Sequence, residues 1–339
     1  MPAPQNINWP AAEIRYDFAA RLVSLVGSLV PMRARVLVIS ALLAALGPAA
    51  ACRLQPEPPP KPPPAPLEYL GEWGVQGDGP GQLSKPVGLA VDAVGDVYIA
   101  DQGSRFVHKF DPLGHPLLSF QHPWLEFPDD IAVDGGGAIY VADAGRSSIL
   151  IFHPDGTHLR PIRCAHKGGQ KQPLGVALDD EGNVFAIEAS LHQVQKFNPR
   201  GRLLKAWDVP GEAIGEHASP ADGAVGPDGF LYVLDARRSR VLKFTREGEF
   251  IAGWGGGEPS AGALGGPGGL AVSDKYVFAG DSLNHRVQVW TLDGQRKLTD
   301  DLGGHLNVGE AGPADVAVSP RGELLVLDGA RVLRFRINF

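Results

Sequence analysis

The chain has 339 residues, 44 % of them hydrophobic, with 44 glycines, 30 prolines and two cysteines. That is enough apolar sequence for a large core and too few cysteines for a disulfide-stapled scaffold. The formal net charge is −7 and divides unevenly: residues 1–66 hold six Lys/Arg against three Asp/Glu, the remainder 25 against 35. An acidic body lacks the basic footprint that a phosphate backbone requires, which excludes nucleic acid as a partner.

Residues 1–31 contain Glu13, Asp17 and the apolar run Leu22–Val30, a combination that fits no export leader. They are read as a non-native extension, with translation starting at Met32. The alternative is an uncleaved anchor over Leu22–Leu46, which places Arg33 and Arg35 near the bilayer centre at high cost. From Met32 the order is that of a signal peptide at 32–52. Met32-Arg33-Ala34-Arg35 is basic, and Val36–Leu46 is apolar but short for a bilayer span. Ala49-Ala50-Ala51-Cys52 then resembles a bacterial lipoprotein signal. The resemblance implies that Cys52 is acylated, becomes the mature N-terminus and anchors the protein to a membrane of the cell envelope. The alternative is a plain A-x-A cleavage site, giving a secreted or periplasmic soluble protein. Acylation of Cys52 leaves Cys164 without a partner; a Cys52–Cys164 bridge is the alternative. Residues 53–66 form a proline-rich linker. Its Gln55–Pro66 stretch predicts an extended rod, spanning roughly 35–40 Å at about 3.1 Å per residue.

Residues 67–339 repeat one pattern six times, each copy opening at a proline: Pro86, Pro128, Pro173, Pro220, Pro267 and Pro313. The spacings are 42, 45, 47, 47 and 46 residues. A period in the forties with several short strands per copy marks a β-propeller. In the first copy, strand a is expected at Gly88–Asp92, b at Asp96–Ala100, c at Phe106–Phe110 and d at Pro116–Phe120. Glycines near the ends of the a–b and c–d turns, such as Gly95 and Gly114, supply the positive φ of tight hairpins. The sixth copy stops after strand c, while Leu67–Gly74 matches the strand d pattern of Gly248–Gly255. The expected fold is therefore all-β, a six-bladed β-propeller of four antiparallel strands per blade, closed by an N-terminal strand in the last blade.

Two sets of acids recur. The first ends strand b at Asp101, Asp143, Glu188, Asp235, Asp281 and Asp328, with arginines after it at Arg105, Arg240, Arg286 and Arg331. Present in every copy, it reads as architecture: acceptors for turn N–H groups, paired with arginine. The second set alternates. Two residues after each proline stand Gly88, Asp130, Gly175, Asp222, Gly269 and Asp315. Asp130, Asp222 and Asp315 thus converge at the mouth of the central channel, where Ca²⁺ or Mg²⁺ would relieve their repulsion. Asp129 is a candidate fourth carboxylate. The bland alternative is that each aspartate caps its own turn. The Arg160–Lys171 segment is basic and includes Arg160, Arg163 and His166, while Gly211–Asp222 is acidic. Opposite charges on one rim suit a protein, peptide or glycan partner on the long-loop face; two solvated loops are the plain alternative.

The repeats resemble the NHL family, most clearly in Gly79–Asp101 (GPGQLSKPVGLAVDAVGDVYIAD) and Gly280–Trp290 (GDSLNHRVQVW), with Asn284-His285 standing in the namesake triplet. The resemblance implies the propeller fold and leaves function open. Peptidyl-hydroxyglycine amidating lyases, which have NHL-like propellers, place zinc-binding histidines directly after the repeat proline. Those positions here are Val87, Asp129, Leu174, Ala221, Gly268 and Ala314, so a zinc site of that kind is not expected. Nor does a G-x-S-x-G elbow or H-E-x-x-H pair occur. The expected function is an exported, membrane-tethered binding module. The alternative is a metal-dependent hydrolase or lactonase using the aspartates at the channel mouth.

Overall fold

The computed structural model describes residues 65–164, 172–211, 216–256, 263–306 and 312–339. The leader, Cys52, residues 53–64 of the linker, and His166 lie outside the described residues. Cys164 is buried.

Six four-stranded antiparallel sheets follow one another, each in the order a-b-c-d. Strands a begin at the repeat prolines: Pro86–Val91, Pro128–Val133, Pro173–Leu178, Pro220–Val225, Pro267–Val272 and Pro313–Val318. That start precedes the expected one by two residues in the first copy and by three in the others. The cause is a register shift after each proline, where the chain carries an extra residue against strand b. The last sheet joins Pro313–Val318, Glu323–Asp328 and Arg331–Ile337 to Leu67–Trp73 from the start of the repeat region. Leu67 pairs with Ile337 and Trp73 with Val332, so the two ends of the repeats close the ring in one blade.

Strand b is buried over its whole length in blades 1, 2 and 3, as in Val97–Asp101 and Val184–Glu188. Both its faces are covered by neighbouring blades, which is why it reads as continuous apolar sequence and not as an alternation. The core is accordingly six inter-blade layers. Between blades 1 and 2, Tyr98 and Val107 meet Ile131, Ile139 and Val141; between blades 6 and 1, Leu325, Leu327 and Val332 meet Leu89, Val97 and Ile99. Each such side chain, fully buried, stabilises the fold by about 1.5–3 kcal/mol.

The c–d glycines have a second role besides φ. A Cβ on Gly114 would lie 2.3 Å from Trp73, one on Gly248 2.4 Å from Trp207, and one on Gly294 2.7 Å from Trp254. The aromatic near the end of each of these strands d thus seats on the hairpin of the following blade.

Candidate functional site

Strands a line the central channel, a cavity of about 220 Å³ walled by residues such as Leu89, Ala90, Val176, Ala177 and Val316. Its polar groups are Asp130, Asp222 and Asp315, so the sequence alternation does bring the three aspartates together. Each carboxylate accepts two backbone N–H bonds. Asp130 takes Ile131 at 2.7 Å and Val176 of the next blade at 2.7 Å. Asp222 takes Gly223 at 2.6 Å and Leu270 at 2.7 Å. Asp315 takes Val316 at 2.7 Å and Leu89, across the ring closure, at 2.6 Å. The aspartates therefore bond blade 2 to 3, 4 to 5 and 6 to 1, which goes beyond capping a turn. The alternating glycines make room for them. A Cβ on Gly88 would sit 2.8 Å from Asp130 Cα, one on Gly175 3.0 Å from Asp222 Cα, and one on Gly269 1.5 Å from Asp315 Oδ1.

Desolvation, then mutual repulsion, raises Asp130 and Asp315 well above the usual carboxyl range. Burial also raises Asp222, to about 6; amides from Gly223 and Leu270 and a hydrogen bond with Asp130 pull it down. Asp130 and Asp315 are buried by surface area, while Asp222 keeps some surface on the channel. Raised proton affinity lets the ring relieve its repulsion by binding protons as pH falls. No group of three or more His, Cys, Asp or Glu arranged to hold a metal occurs among the described residues.

The alternation continues outward. Strand c carries buried His108, Gln195 and Gln288 in blades 1, 3 and 5, and Leu150, Leu242 and Leu333 in the others. Gln288 donates to the strand b acid Asp281 at 2.9 Å. His108 bonds Ser119 Oγ at 2.9 Å, and burial lowers it to about 4, so it is a neutral imidazole.

The strand b acids are architectural, as their recurrence predicts. Asp101 accepts from the amides of Ser84, Lys85, Gly103 and Ser104, tying the incoming connection to the b–c turn. Arg240, Arg286 and Arg331 pair with Asp235, Asp281 and Asp328. Arg105 is exposed, and Asp101 has amides in its place.

A second site lies at the end of the ring where strands a begin. A pocket of about 490 Å³ is lined by Gln102, Glu126, Phe127, Asp129, Ser147, Gln172 and their neighbours. Asp129 is the extra residue of the bulge between Pro128 and Asp130. The bulge turns Asp129 to the pocket while Asp130 faces the channel. Gln102 donates to Asp129 Oδ1 at 3.0 Å, whereas Oδ2 is buried without a hydrogen-bond partner. Burial, then the Asp143 charge, push Asp129 up to about 6, against Ala144, Lys85 and Gln102.

The other residues expected at a binding rim do not join it. Arg160, on strand d of blade 2, donates to the Pro199 carbonyl of blade 3. Arg163 lines a separate cavity of about 410 Å³ with Trp124, Arg146 and Cys164. His166 is outside the described residues. Sequence reasoning missed Gln102, Glu126, Phe127 and Gln172. Their one signal is position: Gln102 follows the strand b acid, and the other three stand just before a repeat proline.

An NHL repeat model matches residues 125–152, from the approach to strand a of blade 2 through its strand c. The chain is a six-bladed β-propeller with an NHL repeat matched in its second blade. Among solved structures, a streptogramin B lyase aligns with TM-score 0.60 and 14 % identity, over 80 % of this chain and 98 % of that one. A virginiamycin B lyase from Staphylococcus aureus aligns with TM-score 0.57 and 13 % identity, over 79 % and 88 %. Kuenenia stuttgartiensis hydrazine synthase gives TM-score 0.54 and 13 % identity, over 79 % and 99 %. At these identities the likeness is one of fold. No curated protein sequence matches the propeller.

Proposed function

We propose that the NHL propeller is an exported module, tethered through Cys52, that binds a small polar ligand or peptide side chain in the Asp129 pocket. The observation that carries this reading is Asp129 Oδ2, an acceptor without a partner on a residue that lines a pocket of about 490 Å³. An unmet acceptor costs roughly 1–3 kcal/mol, which a ligand donor recovers once a turn of the Asp129 side chain brings the shielded Oδ2 to the pocket; the volume lies within the range of small-molecule sites. The lyase neighbours share the fold, and fold alone does not choose between catalysis and binding.

The test is thermal melting and titration against peptides, oligosaccharides and small amines, with Phe127→Ala and Gln102→Ala as pocket variants. Ligands are expected to raise the melting temperature of the wild type and to lose tenfold or more in affinity on either variant. Binding that ignores both variants places the ligand elsewhere. Tethering is read from the intact mass of the mature chain, which should begin at an acylated Cys52; an unmodified Cys52 removes the anchor.

A second reading is a Ca²⁺- or Mg²⁺-dependent hydrolase or lactonase. The convergence of Asp130, Asp222 and Asp315 in one channel favours it, and six backbone amides already occupying their oxygens weigh against it.

A further inference from the structure

We infer that the Asp129 pocket takes a primary ammonium compound with an apolar body, the ammonium on Asp129 and the body against Phe127. The inference rests on the binding function above and adds the ligand's chemical class.

The charged residues of the described lining are acidic. Asp129 and Glu126 line the pocket, and the buried Asp143 stands close enough to Asp129 to raise its proton affinity. No lysine or arginine is among the described lining residues. Among the described residues two cations flank the pocket: Lys85 Nζ donates to Gln102 Oε1 at 2.7 Å, and Arg146 pairs with Glu126 at 2.7 Å. The Lys85 contact also fixes the Gln102 amide so that its nitrogen donates to Asp129 Oδ1 at 3.0 Å. Asp129 Oδ2 is left as an acceptor with no partner.

An anionic ligand would meet the Asp129 carboxylate, and Arg146, already paired with Glu126, does not line the pocket to offset it. A neutral donor would satisfy Oδ2 and leave the excess charge in place. An ammonium does both tasks through a charge-assisted bond, about twice as strong as a neutral one. The apolar part has a place as well. Phe127 is 54 % exposed although it lines the pocket beside Leu174 and Ala144. An aromatic face next to a carboxylate also favours a cation directly.

The experiment uses the full chain in mild detergent, with tyramine as the ammonium probe and 4-ethylphenol as its neutral counterpart. Calorimetric titration at pH 7.5 should show tyramine binding at least tenfold tighter than 4-ethylphenol. Asp129→Asn should weaken tyramine tenfold or more and leave 4-ethylphenol unchanged; Glu126→Gln, farther toward solvent, should weaken tyramine about twofold. Lowering the pH to 5 should weaken tyramine in the wild type, because Asp129 then takes a proton, and have no such effect in Asp129→Asn. Equal binding of the two probes, or tyramine binding that ignores Asp129→Asn in a variant with wild-type melting, overturns the ammonium class while a pocket ligand stands. If neither probe, nor any peptide or oligosaccharide of the wider panel, responds to the pocket variants, the ammonium class and the binding function fall together.

Discussion

Asp222 and Gly269 show how two residue types on a two-blade period hold a ring. Asp222 accepts the amides of Gly223 and Leu270, and both lose their acceptor in Asp222→Ala. Each orphaned buried N–H costs about 1–3 kcal/mol, so this variant should lose roughly 2–5 kcal/mol by chemical denaturation. A loss under 1 kcal/mol would mean that water replaces the carboxylate. Gly269→Ala tests the other half of the arrangement. Its Cβ would fall 1.5 Å from Asp315 Oδ1, and such overpacking typically costs about 1–3 kcal/mol. Gly135, where a Cβ would meet nothing within 4 Å, is the control; Gly135→Ala should stay within about 0.5 kcal/mol. The alternation itself was legible in the sequence, and so was the convergence of the aspartates. Their partners were not. Val176, Leu270 and Leu89 lie 46, 48 and 226 residues away from the acids that hold them. No local pattern encodes a bond of that span.

At the scale of elements, strands, turns and closure were all readable, because a blade is a short-range object with period-two and glycine signals. The bulge after each proline was not, since the count of residues opposing strand b becomes visible only once the pairing is known. The same limit hid Asp129's orientation. Also unread was the left-handed residue that precedes strand c. Arg105, Ser147, His192, Ser239 and His285 have φ of 58°, 52°, 56°, 55° and 49°, and blade 6 uses Gly329 at 56°. Five side chains of three types, Arg, Ser and His, leave no single composition signal for one backbone state. The closing strand gives the sharpest test. Leu67–Trp73 supplies the whole outer edge of the last blade, and Trp73 packs on Phe110 of blade 1 with ring centroids 4.7 Å apart. Deleting 67–74 removes that edge and the aromatic seat together, and should lower stability by several kcal/mol. An unchanged melting temperature would show that the ring closes without it. Trp207→Ala, which empties the same kind of seat between blades 3 and 4, should cost about 3–5 kcal/mol.

The repeat region closes into a ring in which three carboxyls face one another, and its stability should carry their signature in pH. A carboxyl whose folded pKa is raised holds its proton more tightly folded than unfolded. Its contribution is complete below the unfolded value and is lost as pH rises through the folded one. For Asp222 that window runs from 3.8 to about 6, and Asp130 and Asp315, also raised, extend it upward. Each proton held only by the folded state contributes a slope of about 1.4 kcal/mol per pH unit. His108 works in the opposite sense. Its folded pKa is lowered to about 4, so its neutral burial is stable above 6.5 and destabilises the fold as pH falls. The total slope therefore mixes terms, and the difference between wild type and Asp222→Asn isolates the ring. That difference should favour the wild type most near pH 4 and shrink toward pH 7, measured by urea denaturation at each pH. A difference independent of pH would mean that the ring does not retain its protons. The same series decides about a cation. Protons and a divalent ion are competing answers to one repulsion, and an ion binds the deprotonated ring. With each oxygen already held by an amide, Ca²⁺ and Mg²⁺ at millimolar concentration should leave the melting temperature unchanged at both pH 5 and pH 8. A rise at pH 8 that vanishes at pH 5 and in Asp222→Asn would restore the metal-dependent reading; its absence leaves the three aspartates as the bonds that lock neighbouring blades.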